Sequence, residues 1–129
     1  MTENENKIAV LFKEYELAKT DVFRHQHYVI IKRSGIEKIQ AKLDIQIQYN
    51  VIRCEENFAV VQAMARISDA EPMQTFGSAL KGDFKTGNCN TWYVMEMAEK
   101  RALSRAVLKL AGFYQLGVFG EDESEDFKQ

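Results

Sequence analysis

Apolar residues along this chain change period several times, and each change marks an element. From residue 7 to 19, Ile8, Leu11, Phe12, Tyr15 and Ala18 recur at three- and four-residue steps, which predicts an amphipathic helix. Such a helix docks one apolar stripe on the body of the domain or on a neighbouring subunit. Residues 20–27 read as a connection and 27–32 (HYVIIK) as a short strand. Ser34 precedes GIEKIQAKL with Glu37 three residues on, the capping-box spacing, so a short helix is predicted over 35–43. Ile45, Ile47, Tyr49 and Val51 then alternate with Gln46, Gln48 and Asn50, as in a half-buried strand. Glu55-Glu56-Asn57 makes a turn. In the strand from Phe58 to Ile67, residues Ala59, Val61, Ala63, Ala65 and Ile67 share one face, and these small side chains suit a helix packed closely on a sheet. The SDAEP loop carries the single proline, Pro72. A third strand runs from Met73 to Lys81, with Gly77 marking a bulge or a close approach.

A polar loop with two glycines (82–90) leads into a long helix over 91–111, closed by Gly112 as a C-terminal cap. On a helical wheel Met95, Ala102, Leu103, Ala106 and Leu110 form the core face and Val107 flanks it. Glu96 stands four residues before Lys100, the favourable order for a pair. Tyr114 to Phe119 adds a short final segment. The predicted class is α+β: a three-stranded antiparallel meander, with room for one extra short strand, a long helix packed across it and a flanking N-terminal helix. One domain is expected over 7–120, between a disordered N-terminus (1–6) and an acidic disordered tail (121–129).

Composition supports one folded domain, with 46% hydrophobic residues in 129. Charge is segregated. The formal net charge is −2, yet without residues 1–6 and 121–129 there remain 16 basic and 12 acidic residues, a net of +4. That is a mild pull toward an anionic partner. Cys54 and Cys89 are too few for a disulfide framework and read as free thiols. MTENENK has neither the basic nor the apolar region of a signal peptide, and no apolar run is long enough to span a bilayer, so a cytoplasmic protein without membrane contact is expected.

Little here suggests catalysis. His25 and His27 form an H-x-H pair without an acid cluster beside it, and neither H-E-x-x-H nor paired C-x-x-C occurs. No glycine loop carries the Lys-Ser/Thr of a phosphate cradle, and Cys89 lies in no nucleophile context. The expectation is a non-enzyme with no catalytic residues, no metal and no cofactor.

The long helix carries a second pattern. Arg101, Arg105 and Lys109 follow at four-residue steps beside the core face. Such a stripe is either a solvated, salt-bridged face or a row of phosphate contacts, for which the planar guanidinium fork is suited. Tyr93, Ala98, Lys100-Arg101-Ala102-Leu103, Gly112, Gly117 and Gly120-Glu121-Asp122-Glu123 together resemble the closing motif of the single-strand annealing proteins. That superfamily includes the phage Erf/Sak type and the eukaryotic Rad fifty-two annealing factor. The resemblance covers residues 34–123 in architecture and about thirty residues in letters.

The resemblance implies single-stranded DNA binding and strand annealing in homologous recombination or repair, through a basic groove on a homo-oligomeric ring or filament, without nucleotide or metal. Arg101, Arg105 and Lys109 would then contact the DNA backbone. Lys32, Arg33 and Lys38 are second candidates. Arg53, Arg66, Lys81 and Lys85, from strand ends and the 82–90 loop, are further ones. Phe84, an aromatic in a polar loop, is the candidate stacking residue, whereas Trp92 reads as a core plug. The acidic tail is either a solubilising segment or a DNA mimic that competes for the basic groove or recruits a protein partner. The long basic C-terminal region of larger members has no counterpart here. The chain is thus a minimal annealing core, or a relative that kept the fold and lost the activity and serves as a non-catalytic oligomeric adaptor.

Overall fold

The structure is a computed structural model describing residues 2–25, 28–82, 86–89 and 91–121. His27, Phe84, Lys85 and tail residues 122–129 lie outside the described residues. The elements are α1 (Glu3–Glu14), a 3-10 turn (Lys19–Asp21), β1 (Val22–His25), β2 (Tyr28–Ile31), α2 (Arg33–Leu43), β3 (Ile45–Cys54), β4 (Phe58–Ile67), β5 (Met73–Leu80), α3 (Val94–Ala111), a 3-10 turn (Tyr114–Leu116) and β6 (Val118–Gly120). The α+β class is as expected. The strands form two three-stranded sheets, ordered β1-β2-β6 and β3-β4-β5. Among the described residues no helix is long and apolar enough to cross a membrane.

The first sheet is more than the one extra strand expected. The supposed connection contains β1, which pairs antiparallel with β2 and sets Val22 opposite Ile31 and Phe23 opposite Ile30. On the other side β2 pairs in parallel with β6, Val29 opposite Val118. That partner comes from 89 residues away, so no local periodicity announces it.

Helix boundaries also shift for identifiable reasons. The start of α1 lies at Glu3 rather than Lys7, so residues expected to be disordered form its first turn. The Thr2 hydroxyl accepts from the Glu5 amide at 3.1 Å, and Glu3 and Glu5 sit where the helix dipole favours acids. The predicted capping box of α2 does not form, because Ser34 already lies inside the helix. Lys32 is the N-cap and gives no side-chain cap. The open amide of Arg33 instead donates to Glu121 Oε1 at 2.6 Å, and the Ser34 hydroxyl donates to Asp21 Oδ1 at 2.7 Å. In α3 the helix starts at Val94, three residues later than expected, and ends at Gly112, whose φ of 90° is the left-handed conformation that glycine adopts without strain.

The second sheet shows its small-residue face to α3. Ala59, Val61, Ala63 and Ala79 are buried in one cluster with Val94, Ala98 and Ala102. Helix and sheet approach most closely at Gly77. A β-carbon there would overlap the carbonyl oxygen of Ala98 and lie 2.6 Å from the Ala102 nitrogen. The two readings of Gly77 thus resolve to close approach. Thr75 Oγ1 adds a bond to the Ala102 carbonyl at 2.7 Å. Beyond Ala102 the helix enters a second cluster, where Leu103, Val107 and Leu108 meet Ile31, Ile36, Ile39, Phe113 and Val118. Contact on two sides explains why Val94 and Leu108 are buried while Met95 and Leu110, predicted for the core face, are half-buried.

Gly77→Ala is expected to destabilise the fold by about 1–3 kcal/mol through overpacking. Urea denaturation measures this directly, and an unchanged midpoint would contradict the close approach.

Candidate nucleic-acid interface

The arginines of α3 do not form a solvated stripe. Arg101 is 1% exposed and is the largest fully buried side chain among those described. Its Nη1 donates to the Ser78 carbonyl at 2.7 Å and its Nη2 to the Asn88 carbonyl at 2.6 Å. One turn on, Arg105 Nη1 donates to the Phe76 carbonyl at 2.8 Å. Phe76, Ser78 and Leu80 alternate along β5, the outer strand of its sheet, so their backbone groups point away from β4. The Leu80 carbonyl accepts from the amides of Asn88 and Cys89, and the Leu80 amide donates to Asn88 Oδ1 at 2.7 Å. Arginine donors and the 88–89 segment therefore satisfy an edge that would otherwise invite strand addition. The phosphate contact expected of Arg101 is replaced by this clamp. A planar fork reaches two carbonyls at once, which a lysine ammonium does less well.

Among the described residues, two further candidate cations stand near the ends of α3. Lys109 Nζ lies 5.2 Å from the ring centroid of Tyr114. Lys81 Nζ lies 5.0 Å from that of Trp92. Over the fifteen residue-to-residue steps from Val94 to Lys109 the axis advances about 22 Å. Trp92 is no core plug: it is 63% exposed and its neighbour Tyr93 is 68% exposed. With the helix beginning at Val94, that valine takes the buried position and the two aromatics stand outside the first turn. Sequence reading missed this pair because a shift of three residues in the helix start reverses which side chain faces the sheet.

The other candidates lie elsewhere. On the outer face of the second sheet are Arg66, which is exposed, and Arg53, which pairs with Glu55 and sits 5.4 Å from the Phe58 ring centroid. Between them runs a row of amides: Asn50 Nδ2 donates to Gln62 Oε1 at 3.1 Å, and Gln62 Nε2 to Gln74 Oε1 at 2.8 Å. Lys32, Arg33 and Lys38 gather at the start of α2. Lys32 lies 5.9 Å from the Phe23 ring centroid and Arg33 pairs with Glu37 at 3.5 Å. Lys38 Nζ donates to Asp21 Oδ2 at 2.6 Å. Asp21 is buried, and its carboxyl is lowered to about 2 by Lys38, by Ser34 and by the Ala18 amide, against the opposing effect of burial. Lys38 is therefore engaged within the fold. Among the described residues the candidates fall into three sets within one chain, and the set beside α3 combines cations with exposed rings. The chain matches no family model, no curated protein and no solved structure.

Two tests follow from these contacts. Replacing Arg101 by Met keeps an apolar stem but leaves the Ser78 and Asn88 carbonyls without their donor, with an expected loss of about 3 kcal/mol by chemical denaturation. A variant of wild-type stability would exclude the clamp. Because folding lowers the Asp21 carboxyl below its unfolded value, its stabilisation is complete above about pH 5 and is lost as pH falls through 4 toward 2. Asp21→Asn should melt below wild type at pH 7, by about 1–2 kcal/mol given the half-exposed Lys38, and the two melting curves should converge near pH 2. A constant gap across that range would contradict the assignment.

Proposed function

We propose that this chain binds single-stranded DNA and promotes annealing of complementary strands as a homo-oligomer, a ring or filament acting in recombination or repair in the cytoplasm. The observation that carries the reading is that a cation stands against an aromatic ring near each end of α3. Lys81, Trp92 and Tyr93 stand at one end, Arg105 between, and Lys109 with Tyr114 at the other. Non-specific single-strand binders combine a charged track for the backbone with rings on which bases stack. The antiparallel β3-β4-β5 strands with α3 laid across their small-residue face, and α1 at the flank, constitute in this reading the annealing unit. Binding of this kind requires neither metal nor nucleotide and uses no catalytic residue.

One observation favours a second reading, a non-catalytic oligomeric adaptor. Arg101 and Arg105 serve the β5 edge, so two of the three stripe cations already bond to the protein.

Annealing of two complementary labelled oligonucleotides, followed by fluorescence energy transfer, separates the readings. The wild-type chain should accelerate pairing, and Lys81→Glu with Lys109→Glu should remove most of that acceleration while the protein stays folded. No acceleration by the wild type would leave the adaptor.

A further inference from the structure

Trp92 and Tyr93 are consecutive, and each exposes more than half of its surface. Burying such rings would stabilise the fold by several times the thermal energy, so their position in solvent is a feature to explain. They do not hang on a loose loop. The Tyr93 amide donates to Thr91 Oγ1 at 3.3 Å. The buried Cys89 Sγ donates to the Thr91 carbonyl at 3.4 Å and lies 3.6 Å from Thr91 Oγ1. The backbone of residues 91–93 is thereby tied to buried Cys89 and, through the Tyr93 carbonyl that accepts from the Met97 amide, to the first turn of α3, so both rings project from a hydrogen-bonded segment. The Lys81 ammonium against the indole supplies a positive charge beside the exposed aromatic surface.

Resting on the single-strand reading above, we propose that Trp92 and Tyr93 are the stacking platform for one or two unpaired bases, with Lys81 meeting the adjoining phosphate. A flat ring exposed in a fixed frame accepts any base, because every base has a π-face. The charge beside it suits a partner that alternates ring and phosphate. The platform therefore reads unpaired strand and excludes stacked duplex, whose bases offer no free face.

Trp92 is the only tryptophan in the chain, so its emission reports on this site alone. The full chain is titrated with oligo-thymidine while Trp92 emission is followed. Anisotropy of the same oligonucleotide, end-labelled, measures binding in parallel, and an abasic oligonucleotide of equal length serves as control. Expected are quenching of Trp92 emission by about a third or more at saturation and a weaker affinity for the abasic strand. Trp92→Ala should raise Kd about ten-fold or more, and Trp92→Phe should restore it to within about three-fold of wild type. Binding by anisotropy with unchanged Trp92 emission, or a Trp92→Ala variant with wild-type Kd, overturns the platform and leaves single-strand binding intact. Absence of binding by the wild type overturns both.

Discussion

Two arginines of α3 donate to carbonyls on the outer edge of β5, and the placement of the surrounding elements follows from that attachment. Helix and sheet would already meet through small residues, with Gly77 letting the backbones touch. Small-residue packing is smooth and leaves rotation of the helix poorly determined. Arg101 fixes that rotation, because its fork must reach both Ser78 and Asn88. The same bonds close the exposed edge of β5 and draw the 88–89 segment against Leu80. Once α3 is set in this way, Trp92 and Lys81 meet at its start and Lys109 meets Tyr114 near its end.

The first sheet is fastened by a different device. Asp21 gathers the Ser34 hydroxyl, the Lys38 ammonium and the Ala18 amide, while its own carbonyl accepts from the Lys32 amide at 2.7 Å. Glu121 caps the opening of α2 from the far end of the chain. The first residue of the acidic run is thus structural, whatever the later ones do. Its carboxylate accepts from the Arg33 amide at a helix start, where the dipole favours negative charge.

Much of the second sheet was legible because its signals are local. Alternation from Ile45 to Val51, the alanine face of β4 and the glycine at 112 all act within a few residues of themselves. What escaped sequence reading depends on distant partners. β1 and β6 pair only through β2, and the capping box at Ser34 lost to Asp21 and Glu121. At the candidate site, the four-residue spacing of Arg101, Arg105 and Lys109 was real, but spacing does not distinguish a row facing solvent from one folded over a sheet edge. Burial of Arg101 and exposure of Trp92 reverse the usual preferences of those residue types, and composition gives no warning of either.

Among the described residues, the candidate surface beside α3 offers Lys81 near the helix start, Lys109 near its end and Arg105 between them in sequence. Few phosphates should therefore be neutralised per chain. Fluorescence anisotropy of a labelled single strand, titrated at several salt concentrations with duplex as control, measures that number. Binding preferential for the single strand, with log affinity falling against log salt at a slope of about −1.4 to −2.1, corresponding to about two or three phosphates, is the expected result. No binding at low salt, or equal affinity for duplex, would contradict it.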